Sequence, residues 1–64
     1  MTEEMAINIL EKLRNGEMEE YLIAKDEFLS FRQVLIKQED FKHFRGIAQI
    51  GGDVLYQYFK EPIS

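Results

Sequence analysis

The chain has 64 residues, a formal net charge of −4, no cysteine and one histidine. This length allows one domain, and the composition removes disulfides and cysteine-based zinc sites. A domain this small buries only about 60% of the surface its unfolded chain exposes, which leaves oligomerisation as the available source of extra stability.

Hydrophobic residues make up 45% of the chain and charged residues 31%, a globular rather than a disordered balance. The acidic N-terminus Met1-Thr2-Glu3-Glu4 lacks the basic start of a signal peptide. No run approaches the roughly 18 apolar residues of a membrane span. A complete, soluble, cytoplasmic chain with no membrane contact is therefore expected. The first half carries the acid excess: Glu3, Glu4, Glu11, Glu17, Glu19, Glu20, Asp26 and Glu27 stand against Lys12, Arg14, Lys25 and Arg32. Phosphate-tracking proteins show the opposite balance.

In chain order, Thr2 with Glu3 and Glu4 makes a helix start, since the hydroxyl caps and the acids suit the positive end of the dipole. Ala6, Ile9, Leu10 and Leu13 follow at i, i+3, i+4 and i+7. Asn15-Gly16 is a stop, so the first helix is expected over about residues 3–14. Tyr21, Ala24, Phe28, Phe31 and Leu35 continue at helical spacing, and Leu22, Leu29 and Ile36 widen that stripe. A second helix is expected to begin near Glu17 and to extend as far as Lys37. It would be about 30 Å long, against about 28 Å for the diameter of a compact chain of this size. It must therefore break near Lys25-Asp26 or be covered by another subunit. Glu20–Ala24 is an alternative short strand.

Asp40 or Glu39 opens a third helix with Phe41, Phe44, Ile47 and Ala48 as its stripe and Gly46 in its middle. After Gly51-Gly52, Asp53 caps a fourth segment in which Val54, Leu55, Tyr58 and Phe59 fit a short helix, although the same residues suit a strand. Pro62 ends it. The fold expected is all-α: a single domain over residues 1–64, a small bundle of three to four short helices with an N-terminal helical hairpin. The alternative is α+β, with a short two-stranded pairing of 20–24 and 54–59.

Chemical motifs are sparse. Gly46 and Gly51-Gly52 have phosphate-loop spacing, but Gly52 and Asp53 stand where that loop needs a lysine and a hydroxyl. His43 follows Asp40 at a spacing used in helical di-metal sites, without the further inward glutamates those sites require. A half-exposed His43 paired with a carboxylate is the simpler reading. Ser30 and Ser64 are the only serines, and neither sits in a nucleophile elbow. No catalytic residue, cofactor or metal is expected.

The function expected is that of a small, non-catalytic, cytoplasmic interaction or regulatory protein. It would be a homodimer that acts by binding another, unidentified protein. Met18, Leu22, Leu29 and Ile36 are candidates for its interface, with Tyr21 and Tyr56 at the rim. The alternative is a nucleic-acid-binding regulator that uses Lys37, Lys42 and Arg45 on the basic face of the third helix. Glu39 and Asp40 at the same helix start oppose phosphate and disfavour it.

Overall fold

Thr2 is extended, and its hydroxyl oxygen accepts a hydrogen bond from the Met5 N–H at 3.2 Å. This cap starts α1, Glu3–Arg14. Asn15 closes the helix, and Gly16 turns the chain with φ 84°. Ala6, Ile9, Leu10 and Leu13 form the buried face. Start, stop and stripe therefore lie where the sequence places them.

Beyond α1 the fold departs from the all-α expectation. The computed structural model describes residues 1–62, and it is α+β. After α1 come β1 (Glu20–Ile23), α2 (Phe28–Leu35), a 3-10 turn (Phe41–His43), β2 (Phe44–Ala48) and β3 (Val54–Tyr58). The two helices are separated by a strand, so there is no N-terminal helical hairpin and no bundle of three to four helices. The expected single long helix is split at Ala24–Glu27, where the Glu27 N–H donates to the Ala24 carbonyl at 2.9 Å.

The strands form one antiparallel sheet in the order β1-β3-β2. Glu20–Ile23 pairs with Gln57–Val54, which is the strand pairing named above as the alternative fold. The second hairpin, β2 against β3, replaces the expected third and fourth helices. Its connecting loop is closed by the Gln49 N–H donating to the Asp53 carbonyl at 2.8 Å. Gly51 and Gly52 both hold φ 98° in that loop, a left-handed backbone that glycine adopts without a Cβ penalty.

Directly opposed residues share a face of a sheet. One face therefore carries Ile23, Val54, Tyr56, Tyr58 and Phe44, and both helices pack on it. Phe31 of α2 meets Tyr56 at 4.9 Å between ring centroids, and Phe44 meets Tyr58 edge-on at 4.8 Å. The buried cluster joins Ala6, Ile9, Leu10 and Leu13 to Ile23, Phe31, Val34, Leu35, Phe44 and Tyr56. All of it lies in a molecule of 28 × 25 × 21 Å.

Gly46 shows how closely this face is packed. A Cβ there would stand 3.0 Å from Val54 Cγ1 and 3.1 Å from Tyr56 Cε1. The aromatic ring leans over the glycine backbone from the neighbouring strand. Gly46→Val is expected to push Tyr56 against Phe31 and to destabilise the chain by about 1–3 kcal/mol. Urea unfolding followed by circular dichroism measures this. A variant as stable as the parent would mean that the ring does not occupy this space.

Candidate functional site

Three places on the molecule bring chemistry-bearing residues together. The first joins the end of α1 to the segment after α2. Arg14 Nε donates to Asp40 Oδ2 at 2.6 Å, and Arg14 Nη2 donates to Asp40 Oδ1 at 2.9 Å and to Gln38 Oε1 at 3.3 Å. The guanidinium also lies 5.9 Å from the Phe44 ring centroid. The hydrogen bond from Arg14 is the main reason that the Asp40 carboxyl sits below its ordinary value, with burial opposing it. The same bond raises Arg14.

This forked pair ties two segments 26 positions apart in sequence, and its groups are turned toward each other rather than toward a ligand. A carboxyl lowered in the folded state contributes stability that is complete above the unfolded value. That stability is lost as pH falls through the lowered one. Asp40→Ala is therefore expected to cost about 1 kcal/mol at pH 7. The difference from the parent should vanish in acid well below 3.8. Urea midpoints of both chains across that pH range check this, and a pH-independent difference would remove the ion pair as its cause.

Beside the pair is a shallow cleft of ≈ 350 Å³, lined by Leu13, Arg14, Asn15, Gly16, Met18, Glu19, Tyr58 and Lys60. No serine, cysteine or histidine lines it, and its arginine is held by Asp40. His43, expected from the sequence to pair with a carboxylate, instead meets a backbone carbonyl. Its Nδ1 lies 2.8 Å from the Phe59 carbonyl oxygen, which can only accept, so Nδ1 carries the proton. The imidazole stacks on Tyr58 at 5.4 Å. Among the described residues no group of His, Cys, Asp or Glu is placed to hold a metal ion. Ser64 lies outside the described residues.

The third place is the sheet face opposite the helices. The register aligns Leu22, Leu55 and Ile47 in one row across β1, β3 and β2, and Glu20, Gln57 and Arg45 in the next. Leu22 is 51% exposed, while Leu55 and Ile47 are half-buried. Both helices belong to the cluster on the other side, so among the described residues no helix covers this apolar row. Gln57 Nε2 donates to Glu20 Oε2 at 3.2 Å, and Arg45 is exposed without an ion pair among the described residues. Phe59, 38% exposed, lies beyond Gln57 next to Arg45.

The residues proposed from the sequence as an interface fall on different surfaces. Leu22 lies on this open face. Leu29 and Ile36 are exposed on and just after α2. Met18 packs against the core, and Tyr21 lies at the edge of the covered face. Tyr56 is buried, and that burial pushes its phenol above the ordinary value, with Arg32 opposing. The basic face of a third helix does not exist. Lys37 follows α2, Lys42 lies in the 3-10 turn, and Arg45 is on β2. Sequence spacing does not bring Ile47, Leu55, Glu20 and Arg45 together, because only the strand register aligns them. Alternation at Leu55 and Gln57 was the one available hint.

The chain matches the family described as YkzS-like protein over residues 3–57, which takes in both helices and nearly all of the sheet. No curated protein and no solved structure matches it. Among the described residues no helix is long and apolar enough to cross a membrane.

Proposed function

We propose, for a chain that belongs to the YkzS-like protein family, that it is a small, non-catalytic, cytoplasmic interaction or regulatory protein. It acts by binding protein through the open face of its sheet. The observation that supports this reading is the Leu22–Leu55–Ile47 row, which crosses all three strands and, among the described residues, has no helix over it. Antiparallel sheets of this kind often face water on one side, and that side then alternates to polar residues. Here the alternation yields a branched aliphatic row instead. Lys37, Lys42 and Arg45 lie on different elements rather than on one helix face, which favours this reading over the nucleic-acid alternative, and the Arg14–Asp40 pair is a structural tie.

A photoreactive residue placed at Leu22, in cells that make the chain, tests the reading. It is expected to yield a discrete protein adduct. The same residue at Leu29, which is 70% exposed on α2, is expected to yield none. Ile47→Asp should remove the Leu22 adduct while the circular dichroism stays unchanged. The absence of any discrete adduct from position 22 would overturn the proposal.

A further inference from the structure

We infer that the open sheet face binds a second copy of this chain, face to face, about a two-fold axis running along β3. The inference rests on the interaction reading above and names its partner. Its basis is the order of residues across the sheet. The polar row reads Glu20–Gln57–Arg45 from β1 through β3 to β2, and the apolar row reads Leu22–Leu55–Ile47. An axis along the central strand exchanges the two outer strands and keeps each row at its own level. Glu20 of one copy then opposes Arg45 of the other, twice by symmetry, and Leu22 opposes Ile47. Leu55 meets Leu55 and Gln57 meets Gln57 on the axis.

Symmetry discriminates sharply between the choices. A two-fold axis across the strands at the polar row would set Glu20 on Glu20 and Arg45 on Arg45. Moved between the rows, it would set charges on the aliphatic side chains. An axis across the strands at the aliphatic row would stack Leu22, Leu55 and Ile47 on their own copies and leave Glu20 and Arg45 without opposite charges. The axis along β3 is thus the arrangement that combines aliphatic contact with paired opposite charges in an isologous contact. Twisted sheets stacked in this way keep their strands within about 30° of each other, which keeps the rows in register over the few residues involved. Among the described residues Arg45 has no ion pair, and Glu20 accepts only from Gln57. Both charges thus have capacity for a partner. Few side chains contribute, so the contact belongs to the small, concentration-dependent class of interfaces.

The test is sedimentation of the intact purified chain over a dilution series at low salt, with circular dichroism as the check on folding. The parent is expected to pass from monomer to dimer as concentration rises. Glu20→Arg and Arg45→Glu should each weaken dimerisation by about tenfold or more, since each puts like charges together at both symmetric contacts. The double variant Glu20→Arg/Arg45→Glu restores opposite signs and should return to within about threefold of the parent. Leu29→Glu on α2 should leave the dimer unchanged.

A parent that is monomeric throughout overturns the second copy as partner, and so does a dimer indifferent to both reversals. A double variant as weak as the single ones overturns the Glu20–Arg45 pairing. The Leu22 photoadduct separates these failures from that of the underlying reading. A monomer that still gives a discrete adduct with a different protein refutes only the second copy. A monomer with no adduct refutes both.

Discussion

Phe31→Ala is expected to remove a large share of the chain's stability at room temperature. Phe31 is fully buried at the centre of α2, with Tyr56 against its ring and the α1 side chains in the same cluster. Removing a buried phenyl ring costs about 3–5 kcal/mol, because the transfer energy is lost and the neighbours collapse only partly into the space. A domain of this length has a total stability on the order of 3–10 kcal/mol. One side chain thus represents a large share of it. Leu29→Ala, two positions earlier on the same helix, removes a side chain that is 70% exposed and should change stability by less than about 0.5 kcal/mol. Far-ultraviolet circular dichroism and urea unfolding of the two variants side by side provide the measurement. Equal losses would mean that the α2 face toward the sheet is assigned wrongly.

Gln57→Pro is expected to be similarly damaging, for a backbone reason. β3 is the central strand, paired with β1 on one side and β2 on the other. Proline removes a ladder donor, and its ring is tolerated only at sheet edges and bulges. The expected cost is about 3 kcal/mol or more. The side chain at this position lies on the open face, where its Nε2 donates to Glu20. Gln57→Val retains the N–H and places a β-branched residue on the strand, so it should remain folded. The contrast separates loss of the ladder from loss of the side chain. Two folded variants would contradict a central β3.

The open face also bears on how so short a chain remains specific. A stacked second copy would hide the aliphatic row that otherwise faces water, while the charges at its border set which way the copies meet. A patch of this kind is a known hazard when it is left bare. Edge strands β1 and β2 carry a different hazard, since their outer backbone groups are free to pair with other strands. The exposed Glu20 and Arg45 lie on those edges, and charge there opposes uncontrolled strand addition.

The sequence by itself determined α1 completely. Thr2, the acids after it, the Ala6–Ile9–Leu10–Leu13 stripe and Asn15-Gly16 act within a few positions of one another, and each element of that local code agrees with the others. It also marked Phe31 and Leu35 as buried and the turn at Gly51-Gly52, and it offered the break ahead of α2 as one of two ways to accommodate an overlong helix. Only the tertiary structure decided the rest. Tyr21 and Ala24 fell into helical phase with Phe28, Phe31 and Leu35 although the first two precede the turn into α2, because spacing across a turn carries no structural meaning. Phe44, Ile47 and Ala48 likewise mimicked a helix. In the sheet Phe44 and Ala48 lie on the covered face, while Ile47 lies on the open one. An alternating pattern needs one wet polar face to be legible, and a second apolar row erases it. The neighbours Leu22, Leu55 and Ile47 are far apart along the chain, as are Glu20 and Arg45. Their alignment follows from strand order and register, which are set by non-local hydrogen bonds and by packing against the helices.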